Sequence, residues 1–155
     1  MARPKIGDVL EIETDNGNYY LQYTHKHPDY HGLVRVYDTP YPSCPDNICG
    51  ILDGPKAFYC FTVISFGLKR KVARTVGNCP IPDGNKNIPM FRGRSVIAPV
   101  LKKPADGHFG DAEKGWSRIG RLTPEARQLP ILGVWPFEWI VDRVQAGWRP
   151  KDDPR

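Results

Sequence analysis

Apolar and charged residues alternate near the start of the chain, in Val9-Leu10-Glu11-Ile12-Glu13. Alternation with period two predicts a half-buried strand, and Asp15-Asn16-Gly17-Asn18 behind it supplies residues that tolerate positive φ in a tight hairpin turn. Tyr19 to Thr24 returns as a second strand, and Leu33 to Tyr37 follows as a third after the polar turn around Asp29 to Gly32. Three consecutive antiparallel strands result. Residues 38–56 read as loop, because Pro40, Pro42, Pro45, Gly50, Gly54 and Pro55 forbid any long regular element.

Phe58 to Phe66 is a nearly unbroken aromatic and β-branched run, which predicts a central strand buried on both faces. Lys69 to Val76 alternates weakly before Gly77, and Pro80 to Pro89 is rich in turn residues. Met90 to Arg92, Ser95 to Ala98 and Gly115 to Ile119 are short strand candidates between glycine-containing loops. Helical signals come late. Thr123 precedes Pro124 as a capping residue for a helix of one or two turns. A second helix begins near Pro136, with Phe137, Ile140, Val141 and Val144 at i, i+3, i+4 and i+7 and Gly147 as its stop. Trp148 is expected to pack back, and residues 149–155 to form a mobile tail behind a single domain of residues 1–148.

Composition narrows this picture. The chain has 155 residues, of which 15 are glycine and 16 proline, so a β-rich domain with many turns is favoured over a helical bundle. Neither a membrane span nor a secretory leader is readable, and the protein is expected to be cytoplasmic. The net charge of +5 is unevenly spread. Residues 1–68 hold five basic against eight acidic residues, residues 69–121 hold twelve against four, and the remainder is balanced. A basic middle segment suits an acidic partner, a phosphate or a nucleic acid; solvated surface cations give the same count. The cysteines, at 44, 49, 60 and 79, form no tight pair of the zinc-site kind and are expected to be free thiols, Cys60 as a small buried hydrophobe. Cys44 and Cys49 share a loop and can cross-link under oxidation, without being expected to.

Candidate chemistry is sparse. His25, His27 and His31 surround Asp29, and alternate residues on a strand share a face, so His25 and His27 can face one metal ion. The same residues serve as a solvated hairpin loop, and no cofactor is expected. Glu11 and Glu13 read as a solvent face beside Leu10 and Ile12. Arg92 and Arg94 flank Gly93 and can clamp a phosphate or carboxylate, or simply guard an edge strand. Tyr19, Tyr20, Tyr23, Tyr30 and Tyr37 crowd the first three strands. Tyrosines on both faces of a hairpin cannot all be core, so one row, with Tyr20 and Tyr23, is expected to offer contact area to a partner. The acidic local charge counts against nucleic acid as a partner there.

The order of these pieces resembles the bacterial immunity protein 26 family, a group that also carries a phosphotriesterase (HocA-type) label. The matching stretches are Lys5 to Ile12 with the Asn16-Gly17 turn, Leu33 to Val36, Phe58 to Thr62, Pro89 to Arg92, Trp116, Leu122 to Glu125, Leu129 to Ile131 and Gly147 to Pro150. The resemblance implies a mostly β, SH3-like small barrel or strongly twisted antiparallel sheet with short C-terminal helices. It also implies an antidote that binds and neutralises a cognate toxin protein, without turnover of its own. Two other classes stay open: a small hydrolase of organophosphate triesters built on the histidine cluster, and a basic barrel that grips nucleic acid through Lys69 to Arg74 with Arg92 and Arg94.

Overall fold

A computed structural model describes residues 3–92, 108–111, 115–118 and 123–153. Strands β1 (Asp8–Thr14), β2 (Gly17–His27) and β3 (His31–Tyr37) form the expected meander, and β4 (Lys56–Thr62) continues it. Helix α1 (Ile64–Lys69) leads to β5 (Arg74–Asn78), which pairs back on β1. Strands β6 (His108–Asp111) and β7 (Gly115–Arg118) make a separate hairpin, the second of them within the expected Gly115 to Ile119 stretch. Helix α2 (Pro124–Arg127), strand β8 (Val134–Trp135) and helix α3 (Phe137–Gln145) complete the order.

The main sheet has six strands in the order β5-β1-β2-β3-β4-β8, antiparallel except for the β4–β8 pair. The β-rich expectation is met. The sheet is mixed and open, with β5 and β8 at its edges, and no barrel closure is formed among the described residues. No helix among these residues is long and apolar enough to cross a membrane.

Local chemistry explains the first hairpin. Thr14 pairs with Gly17 across a two-residue turn, and the Thr14 hydroxyl donates to the Gly17 carbonyl at 2.8 Å. Gly17 sits at φ +118, and a Cβ there would stand 3.0 Å from the Tyr41 carbonyl oxygen, so both backbone conformation and close approach require glycine.

The Phe58 to Phe66 run departs from expectation. It is strand only as far as Thr62, and from Ile64 the chain is helical, with Ile64 and Gly67 turned inward and Phe66 outward. Short apolar runs do not distinguish a buried strand from a helix, and here spacing at i, i+3 and i+4 decides for helix once the chain leaves the sheet. Nor is β4 central, since only the two residues of β8 lie beyond it. The Ser95 to Ala98 candidate lies outside the described residues, while Arg92 joins Ile131 in an isolated bridge.

The C-terminal helices follow their sequence signals. The Thr123 hydroxyl oxygen accepts from the Ala126 amide at 3.1 Å. Phe137, Ile140 and Val144 are buried, Val141 partly so, and Gly147 ends the segment at φ +70. Trp148 packs against Phe58 and Trp135, each with ring centroids 5.4 Å away. Residues 149–153, expected as tail, are docked. Pro150–Asp152 is a 3-10 turn, Pro150 is buried, and the Asp152 carboxylate accepts from the Arg149 amide at 2.9 Å.

Each face of the sheet is covered differently. Leu10, Ile12, Leu21, Val34, Val36, Phe58 and Cys60 meet α1, α3 and Trp135 in one large apolar core. The opposite face is roofed by the segments 38–55 and 79–92, over two smaller clusters around Tyr20, Tyr37 and Leu52 and around Leu33, Phe61 and Phe91.

A candidate protein-docking face

The second layer decides the fate of the residues singled out from sequence. Tyr20 is fully buried and Tyr23 almost so, which corrects the expectation of an exposed tyrosine row. The hairpin was expected to show one face to solvent, but residues 38–55 carry Ile48, Ile51 and Leu52 among their turn residues and cover it. Tyr20 Oη donates to Glu11 Oε2 at 2.6 Å, and Arg74 Nε donates to Glu11 Oε1 at 2.6 Å. Glu11 is therefore no solvent-face carboxylate. It is buried, and Arg74 sits directly opposite it in the β1–β5 register. Burial and the adjacent carboxylate push the Tyr20 phenol well above its ordinary range, so it stays a neutral donor.

Arg92 is also fully buried, and its guanidinium donates to the Pro150 carbonyl, which makes it a tie between the loop and the C-terminal turn. Arg94 lies outside the described residues. The histidines diverge. His25 Nε2 lies 2.7 Å from the Lys86 carbonyl and must donate to it, leaving Nδ1 to accept from Thr24. His27 Nδ1 accepts from the amides of Asp29 and Tyr30, and its ring packs on Tyr30 and Phe61. His31 is exposed at φ 67. Burial lowers the affinity of His25 and His27 for a proton. Among the described residues no group of three or more His, Cys, Asp or Glu is arranged to hold a metal ion.

The cysteine expectation needs correction too. Cys49 and Cys79 form a disulfide, 30 residues apart in sequence, because the 3-10 turn Ile48–Ile51 folds across the end of β5. Cys44 and Cys60 are free, and burial pushes the Cys60 thiol far up.

A surface that none of these residues marks stands out on the helix side. Among the described residues the exposed large apolar side chains are Ile6, Phe66, Val134 and Trp139; Val134, in register with Phe61 and next to buried Trp135, points to the roof side, while Phe66 and Trp139 belong to α1 and α3. Phe66 is 56% and Trp139 47% exposed, which for rings of this size leaves a large apolar area in water. Both are braced. Helix α1 approaches α3 so closely that a Cβ on Gly67 would meet the Phe137 ring at 2.5 Å. Arg70 bridges the helices, paired with Glu138 at 2.7 Å and lying 5.9 Å from the Phe66 ring centroid. The Arg143 guanidinium is 4.2 Å from the Trp135 ring, 4.8 Å from Trp148 and 5.0 Å from Trp139, so it ties the exposed indole to the buried aromatic cluster.

Aromatic side chains held in one conformation beside arginine are what protein interfaces use for their strongest contacts, since little ordering entropy remains to be lost. The cations nearest these rings in the chain are exposed Lys69, Arg70 and Lys71 at the end of α1 and Arg143 against Trp139, with Glu138 taken up by Arg70 and Asp142 exposed. Two signals in the sequence mark this surface. Trp139 falls off the Phe137/Ile140/Val144 stripe, an apolar residue on the polar side of an amphipathic helix, and Phe66 does the same on α1.

Comparison with protein-family models, with curated proteins and with solved structures found no match for the chain.

Proposed function

We propose that this chain is a binding protein of the immunity type, which neutralises a toxin by docking it on the face built from Phe66 and Trp139. The observation that carries this reading is the pair of braced, half-exposed rings on adjoining helices. The cations Lys69, Arg70, Lys71 and Arg143 commit the partner to a protein whose apolar contact patch is bordered by carboxylates. A strongly basic nuclease is disfavoured at this face for the same reason. The Cys49–Cys79 bridge favours an oxidising compartment over the cytoplasm, which a non-reducing gel of freshly isolated protein will decide.

The test uses the toxin encoded beside the chain. Wild type and a Phe66→Ala/Trp139→Ala double variant are compared for protection of growth and for affinity to the purified toxin. Both single changes remove exposed atoms, so the variant should melt close to wild type while affinity falls by a hundredfold or more, at about 2 kcal/mol for each ring. Full protection by the variant, or binding of anionic lipid vesicles in place of the toxin, would overturn the reading.

A further inference from the structure

A groove of about 380 Å³ opens between the start of β4, the end of α2 and the C-terminal turn. Its volume falls within the range of small-molecule sites and suits a single-ring molecule better than a polymer chain. Lys56, Arg149 and Lys151 line it with three cations, Gln128 adds an amide, Tyr59 supplies ring surface, and among the described residues no carboxylate lines it. Such a set does not arise from one charged stretch of sequence, because the contributing positions span nearly a hundred residues.

The surroundings add to the positive charge. Arg35 is buried beneath Tyr59, its guanidinium 4.8 Å from the ring centroid, and it donates to the carbonyls of Asn85 and Asn87. No carboxylate pairs with Arg35 among the described residues. Burial and the nearby Arg35 charge lower the proton affinity of Lys56, with Asp53 opposing in part. Arg149 is partly compensated by Asp38 at 3.4 Å. Asp38, Asp53 and Asp152 lie beside these cations without lining the groove, so among the described residues the lining itself keeps three cations and no carboxylate, and such a cleft with an aromatic wall attracts an anion with a flat apolar body.

We infer that this groove binds a small aromatic phosphate monoester, its phosphoryl oxygens held by Lys56, Arg149 and Lys151 and its ring laid against Tyr59 and the flanking prolines. The site is separate from the α1/α3 face and does not depend on it.

Phenyl phosphate, inorganic phosphate and benzoate serve as probes in amide chemical-shift titrations of the full chain. The expected result is saturable shifts at residues 56–59, 128 and 149–151, with phenyl phosphate at least threefold tighter than inorganic phosphate and tighter than benzoate. Lys151→Gln, at an exposed position, should weaken phenyl phosphate several-fold, and Lys56→Gln/Lys151→Gln tenfold or more, with the fold confirmed by an unchanged spectrum elsewhere. Shifts that do not saturate, shifts centred on Lys69 to Lys71, equal affinity for all three probes, or undiminished binding by Lys151→Gln would each overturn the assignment.

Discussion

The two faces of the sheet are held by different physics. Under α1 and α3 the side chains are almost wholly apolar, from Leu10 and Ile12 through Val34 and Val36 to Ile140 and Val144. Non-directional burial supplies the stability there. Beneath the segments 38–55 and 79–92 the same strands present Glu11, Tyr20, Gln22, Arg35 and Tyr37, and specific bonds do the holding. Tyr37 donates to the Leu52 carbonyl at 2.8 Å, Gln22 to the Cys79 carbonyl at 3.0 Å, and the Asn18 and Tyr41 backbones exchange two hydrogen bonds. The disulfide fastens the same roof. A helix brings its own satisfied backbone to a sheet, whereas an irregular roof must find partners for its polar groups, and this accounts for the concentration of charged and amide side chains beneath the roof, while on the helix side the buried Thr62 donates to the Trp135 carbonyl.

The contrast can be broken most sharply on the helix side. Phe137→Ala removes a buried ring at the α1–α3 contact and should cost about 3–5 kcal/mol, read as a fall in melting temperature of about 10 °C. On the other face, Cys49→Ser opens a 30-residue loop and should cost about 3 kcal/mol in denaturant unfolding, with amide exchange accelerated first in residues 38–55. Gly67→Ala should cost about 1–2 kcal/mol, less than the Phe137 truncation, because helix propensity offsets part of the clash with the Phe137 ring.

Acid distinguishes the faces as well. Burial holds His25 and His27 below the ordinary imidazole range, so the unfolded chain takes up these protons first. Stability is therefore full above about pH 6.5 and declines as the pH falls from there toward the depressed folded values. Urea titrations at pH 7.5 and 5.5 should show a lower midpoint at the acidic pH, and His27→Gln should reduce that difference. The smallest effect on stability belongs to Trp139→Ala, which should shift unfolding by less than about 1 kcal/mol.

This division also explains what could be read along the chain. The first hairpin, the Thr123 cap and the α3 stripe were legible because each is specified within a few residues, by Gly17, by a hydroxyl before Pro124, and by 3.6-residue spacing. The roof was not, because its anchors are distant pairs: Cys49 with Cys79, Arg35 with Asn85 and Asn87, Arg92 with Pro150. The burial of Tyr20 and Tyr23 is not legible, because alternation reports two faces and says nothing of what covers them. Trp139 is less legible because helical periodicity marks the buried Phe137/Ile140/Val144 stripe, and Trp139 falls outside it.

The central claim is that partner contact falls on the helix side and leaves the roof free. Hydrogen exchange of the chain with and without the toxin proposed as its partner measures this directly. The account predicts new protection confined to residues 64–71 and 137–143. Protection confined to residues 38–55 or 79–92, with α1 and α3 unchanged, would contradict it.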